Sequence, residues 1–303
     1  MPRPLRRSIE ALVVCLALAG LAAAQEPAAA IAEARALLDS GKPGDAIDRL
    51  QPILPKLADG SAERREAAQV LGLSHYLAGH IKEAIPYLEE VRATTADVKV
   101  AYALAMAYAQ TRQPDKARAA IARTFQLAPD SAAAYLLTGQ MMNRLELEDL
   151  AEAALRQALA KDPKLPEVHF LLGQQAVFRS RLDEGMTLMR AELALNPAHA
   201  MALYWIGDIY SRQAKWTEAI AALQQSIWIN PYFSGPYILL GKAFSKTNQP
   251  AAAEDMLRHA IQYDPNNKTA HYLLAQVLQQ LGRAEEAKKE FEAAERLQGA
   301  TDR

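Results

Sequence analysis

A chain of 303 residues, half of them hydrophobic, has ample material for a buried core, and a formal net charge of −1 lacks the basic excess that nucleic-acid binding draws on. The single cysteine, Cys15, lies in an N-terminal apolar run. If residues 1–24 are removed, no disulfide framework and no thiolate metal site is available, and 31 basic side chains stand against 34 acidic ones.

The chain opens with Arg3, Arg6 and Arg7, continues through an apolar run from Ala11 to Ala24, and reaches Ala22-Ala23-Ala24 just before Gln25. That order of basic, apolar and small residues predicts a cleaved secretory signal over 1–24. The apolar run, about 14 residues, falls short of the roughly 20 that span a bilayer. An uncleaved anchor is the alternative. Val14 ahead of Cys15 argues against lipid attachment, and Ser8-Ile9-Glu10 after Arg6-Arg7 gives little support to a twin-arginine signal. The expectation is an exported protein, periplasmic or extracellular, with no stable membrane insertion after cleavage. Residues 25–29 are a short lead-in.

From there the sequence repeats itself. Gly139, Gly173, Gly207 and Gly241 are spaced by 34 residues, as are Pro129, Pro163, Pro197, Pro231 and Pro265. A fixed period of this length marks a solenoid. Numbering the unit so that Gly207 is position 8, the first copy is the weakest, with Ala34 at 8, Gly41 at 15, Ala46 at 20 and Leu50 at 24. It also carries Pro52 inside its expected second helix, so a distorted unit is predicted. The second copy has Gly72, Gly79, Ala84 and Leu88 but no terminal proline. The third has Ala105, Tyr108, Ala117, Ile121 and Pro129. Copies four to eight keep strict spacing, with Ala151, Gly185, Ala219, Ala253 and Ala287 at position 20 and Leu155, Met189, Leu223, Leu257 and Phe291 at position 24.

Positions 4, 7, 8 and 11 share one face at helical spacing, and a small residue at 8 lets a second helix with a small residue at 20 approach closely. Pro43, Pro114 and Pro250 fall at position 17, where the first turn of a helix misses no amide donor. Asp162-Pro163, Asn196-Pro197, Asn230-Pro231 and Asp264-Pro265 end the second helix, because the residue before proline is pushed out of helical geometry. Two antiparallel helices per unit follow, and no strand is required.

This set of spacings resembles the tetratricopeptide repeat (TPR) family, over nearly all of the chain after the signal. The resemblance implies an all-α, right-handed α-solenoid of about eight 34-residue repeats over 25–298, at about 27–60, 65–97, 98–131, 132–165, 166–199, 200–233, 234–267 and 268–298, with 299–303 as a tail. In that family the first helices line a concave groove through positions 2, 5, 9 and 12. Carried over by position, this implies a partner-binding groove of Tyr102, Phe170, Tyr204 and Tyr272 at 5, Met106, Gln140, Gln174, Asp208, Lys242 and Gln276 at 9, and Tyr76, Asn143, Ser211, Ser245 and Gln279 at 12. Arg144, Arg212 and Lys246 stand beside them at 13. Rings beside amides suit an extended peptide, although some of these rings could equally be core. Position 5 lacks the basic residue of the chaperone-binding carboxylate clamp.

The six histidines fall at core-type positions (His75, His169, His271) or in connecting and outer ones (His80, His199, His259), with no HExxH spacing, so no metal site is expected. Glu89-Glu90 and Glu285-Glu286 read as solvated second-helix faces, and no nucleophile motif or phosphate loop occurs. The reading is a non-enzymatic interaction scaffold without cofactor, taking a peptide or partner helix in its groove, in cell-envelope assembly or secretion. A regulatory or substrate-presenting subunit of an envelope enzyme, and a homo-oligomeric structural protein, are the alternatives.

Overall fold

The computed structural model describes residues 27–95 and 97–301. The expected signal, with Cys15, and the last two residues of the tail lie outside the described residues. Among the described residues the fold is all-α, with helices packed in adjacent pairs, as the period predicts. None of these helices is long and apolar enough to cross a membrane.

The pairs follow in order as α1 (27–39) with α2 (Pro43–Leu50), α3 (Ala62–Leu77) with α4 (Ile81–Val91), α5 (Val98–Gln110) with α6 (Pro114–Thr124), and α7 (Ala132–Arg144) with α8 (Glu148–Lys161). Then come α9 (Val168–Phe178) with α10 (Leu182–Leu195), α11 (Ala200–Arg212) with α12 (Trp216–Ile229), α13 (Ser234–Lys246) with α14 (Pro250–Tyr263), and α15 (Lys268–Gln280) with α16 (Ala284–Thr301). The last helix runs into residues read from sequence as tail. The chain divides into two compact units, one ending at Ala158 and one beginning at Leu159.

Local chemistry sets the helix ends. Pro43, Pro114 and Pro250 each open a second helix, as expected, and Asn196, Asn230 and Asp264 each close one ahead of a proline. The hairpin inside every pair turns at position 15, where the backbone is left-handed. Glycine takes this conformation at Gly41, Gly79 and Gly282, whereas Arg112, Glu146, Ser180, Ala214 and Asn248 adopt it at a steric cost. First helices begin on side-chain caps at Ser61, Asp97, Ser131, His199 and Asn267. The first unit is irregular as predicted: α2 stops at Leu50 just before Pro52, and a 3₁₀ turn over Leu54–Lys56 follows.

In the core, the glycines at position 8 are explained by the residue at 24. A Cβ on Gly241 would sit 2.4 Å from Leu257 Cγ, and one on Gly139 2.7 Å from Leu155 Cγ. The departure at Gly185 has its own cause, because a Cβ there would meet Val177 Cγ2 at 2.7 Å. Successive pairs are also tied by a bond that periodicity did not reveal. At position 4, His169 Nε2 donates to the Pro163 carbonyl at 2.9 Å, Tyr237 Oη to Pro231 at 3.0 Å, and His271 Nε2 to Pro265 at 3.0 Å. The two histidines are therefore half-buried braces between repeats, while His75 is a core residue stacked on Tyr87 at 5.4 Å.

Candidate functional site

In the first unit the structure brings Tyr102, Gln140 and Arg144 together. They stand at one, two and three helical turns along α5 and α7, and with Val98, Ile121, Phe125, Leu137 and Met141 they line a cavity of about 150 Å³. Its wall is almost wholly apolar, and Tyr102 and Phe125 are 50% and 60% exposed at its mouth. Rings this exposed beside an open apolar cavity are not packed as core rings are. Tyr76 lies nearby; its phenol is held above the ordinary value by burial first and by the Tyr102 phenol second. Asn143 is half-buried. Met106, by contrast, is buried in the main core of this unit and offers nothing to a partner.

In the second unit the carried-over residues fall into two groups. Tyr204 meets Trp205 and Phe233 edge to face at 5.3 and 5.0 Å, so it is half core and half surface, and burial raises its phenol. Asp208 pairs with Arg212 at 2.8 Å one turn along α11. Burial pushes the Asp208 carboxyl above its ordinary value, outweighing the opposing pull of Arg212 and Lys242. Arg212 also donates to the Val177 carbonyl at 3.4 Å. Ser211 is buried and so lies under the groove rather than in it. Phe170 packs against the His199 ring at 4.6 Å and against the Val177–Met189 core, and Gln174 is half-buried.

The other group is a true assembly. Lys242, Ser245, Lys246, Gln276 and Gln279 line an open cleft of about 640 Å³ between α13 and α15, floored by Leu257, Leu273 and Val277. Ser245 Oγ donates to Gln280 at 3.3 Å across it. Tyr272 stays outside this cleft, exposed and edge to face with Phe291 at 5.6 Å. The cleft is cationic and amide-rich, suited to carboxylates and to peptide backbone.

Two features escaped the sequence. The first is a cavity of about 310 Å³ lined by Arg92, Asp97, Tyr108, Lys116, Arg123 and Gln126, which adjoins the apolar cavity at Val98 and Thr124. Lys116 Nζ sits 5.3 Å over the Tyr108 ring, and the Tyr108 hydroxyl donates to Glu89. Lys116 and Arg123 lie on a second helix, outside the stripe that the family pattern singles out. The second is a meeting of three ligating groups, Glu167, Glu192 and His199, from separate elements, where the sequence predicted no metal site. Its signal was in view: Glu192 occupies position 27, where Ala158, Ser226, Ala260 and Ala294 are small.

A family model described as "Tetratricopeptide repeat" matches residues 75–141 and 245–300, and another with the same description matches residues 31–97 and 170–232. No curated protein sequence matches the chain. Among solved structures it is similar to PilW, described as a widely conserved type IV pilus biogenesis factor, at 22% identity and TM-score 0.52 over 64% of this chain and 90% of that one. A fragment of MamA from Desulfovibrio magneticus RS-1 aligns at 21% identity and TM-score 0.51, over 57% of this chain and 98% of that one. The APC/C hetero-tetramer Cut9-Hcn1 aligns at 20% identity and TM-score 0.50, over 81% of this chain and 48% of that one. At these identities the likeness concerns the fold.

Proposed function

Since the chain belongs to the tetratricopeptide repeat family, a protein–protein interaction fold, we propose that it captures an extended segment of a partner protein on its first helices and carries out no chemistry of its own. A bulky apolar side chain of the segment enters the cavity at Tyr102, Phe125 and Leu137, while the Gln140 amide and the Arg144 guanidinium engage its backbone or a carboxylate. The observation that carries this reading is the pair of half-exposed rings, Tyr102 and Phe125, around an unfilled apolar cavity.

We place the protein in the cell envelope, in assembly or secretion. The basic, apolar and small-residue order of residues 1–24 supports export. N-terminal sequencing of the mature protein should begin at Gln25; a retained Met1 in a chain that stays in the cytoplasm on cell fractionation would remove the export reading. For the groove, a photoreactive residue in place of Leu137 should capture a partner in intact cells. The same probe combined with Tyr102→Ala and Phe125→Ala should lose it, and undiminished capture would sink the assignment.

A second reading, self-association, rests on Trp228 and Tyr232, which are 88% and 77% exposed at the end of α12. Light scattering of the wild type and of Trp228→Ala tests it: equal monomer masses at high concentration remove it.

A further inference from the structure

Position 27 is small in the neighbouring copies, and the one polar residue among them, Ser226, spends its hydroxyl on the Ala200 carbonyl at 2.8 Å. Glu192 breaks this rule. It is 0% exposed on α10, and neither carboxylate oxygen has a hydrogen-bond partner. An ionised carboxylate in that state is strongly unfavourable unless a cation meets it.

Two further groups converge on it. Glu167 Oε1 lies 3.5 Å from His199 Nε2, and one ligating atom from each of the three residues falls within 4.8 Å of the others. The elements that aim them are irregular for this purpose. The first helix of this repeat starts late, at Val168, with Glu167 held in a left-handed conformation (φ 73°). The His199 ring caps α11, its Nδ1 accepting from the Ala202 amide at 3.2 Å, and Phe170 covers one face. Nε2 is thereby left facing the carboxylates.

We propose that Glu167, Glu192 and His199 bind a divalent transition-metal ion of the zinc class. Two carboxylates balance its charge, and an imidazole nitrogen selects it over calcium or magnesium, which take oxygen. The exposed Glu167 side chain closes the remaining distance to the roughly 2.0–2.2 Å that zinc requires. Zinc takes the Nε2 lone pair of the Nδ1–H tautomer, so binding moves the ring proton from Nε2 to Nδ1 and gives up the bond from the Ala202 amide to Nδ1, while the His199 carbonyl still accepts that amide at 3.1 Å. Three protein ligands leave a fourth position for water or a partner group. The ion would tie the start of α9, the last turn of α10 and the start of α11, and this site stands independently of the groove reading.

The test uses the full mature chain stripped with EDTA and titrated with zinc chloride alone. Calorimetry should give one saturable site per chain, and Tm should rise with zinc. Glu192→Ala restores the residue found at Ala158, Ala260 and Ala294 and so keeps the fold; His199→Asn keeps a capping residue. Each should weaken zinc binding at least about tenfold. In EDTA, Glu192→Ala should melt above the wild type, and zinc should narrow or invert that order. No saturable binding by the wild type, equal binding by Glu192→Ala, or magnesium bound as tightly as zinc would each overturn the site.

Discussion

The cavity beside α5 and α7 in the first unit and the cleft between α13 and α15 in the second share several positions of one repeat, among them Leu137 and Leu273 at 6 and Gln140 and Gln276 at 9, yet they present opposite chemistry. Tyr102, Phe125 and Leu137 make the former apolar, whereas Lys242, Ser245, Lys246, Gln276 and Gln279 make the latter cationic and amide-rich. Beneath both, the packing is alike: Gly139 closes on Leu155 and Gly241 on Leu257, each glycine lacking the Cβ that the leucine would strike. In a solenoid each repeat contacts only its neighbours, so the scaffold positions hold the pair together while the stripe changes freely.

The equivalence of the two scaffolds gives the largest expected effect. Leu155→Ala and Leu257→Ala both empty a fully buried site and should each lower stability by about 2–5 kcal/mol in urea denaturation. A loss in one without the other would break the comparison at its base. The difference between the surfaces should appear in salt dependence. Lys242→Ala with Lys246→Ala should weaken binding of an acidic peptide about tenfold at low salt and little at high salt, as exposed charges are screened. Tyr102→Ala should weaken binding of an apolar peptide equally at both.

Proton linkage sharpens the contrast further. Around Glu254 burial works to raise the carboxyl, but hydrogen bonds from Arg258 and Arg283, the latter from one nitrogen to both carboxylate oxygens at 2.7 and 2.8 Å, hold it below its ordinary value. Its contribution is fully present above the ordinary value of 4.5 and is lost as pH falls through the folded-state value. Asp208 has the opposite sign: its raised carboxyl makes stability fall as pH rises from about 3.8. Urea midpoints against pH should therefore show Arg283→Met with less loss of stability in acid than the wild type, and Asp208→Asn with a gain at neutral pH. The smallest effect concerns the hairpin turn. Ala214→Gly should stabilise, and Gly282→Ala destabilise, by about 1 kcal/mol each, because position 15 is left-handed in both. Equal and null effects would mean that the turn carries no strain.

Much of the fold was legible because its causes are local. Prolines at position 17 and after position 31 place helix starts and stops within a few residues, and the 34-residue spacing of glycines and alanines pairs the helices. The groove was legible only in part. Tyr102, Gln140 and Arg144 do meet, as do Lys242, Ser245, Lys246, Gln276 and Gln279. Met106 and Ser211 sit at the same positions and are buried, and Phe170 is spent against His199. A stripe position faces whatever the next repeat places over it, and that neighbour lies a full period away.

The period, by itself, determined that this chain is a stack of helix pairs, since helix ends and close packing follow from residues a few positions apart. Only the tertiary structure decided which stripe residues remain open and that Glu167, Glu192 and His199 converge. Burial and convergence depend on side chains from different repeats meeting in space, and no spacing along the chain records that meeting.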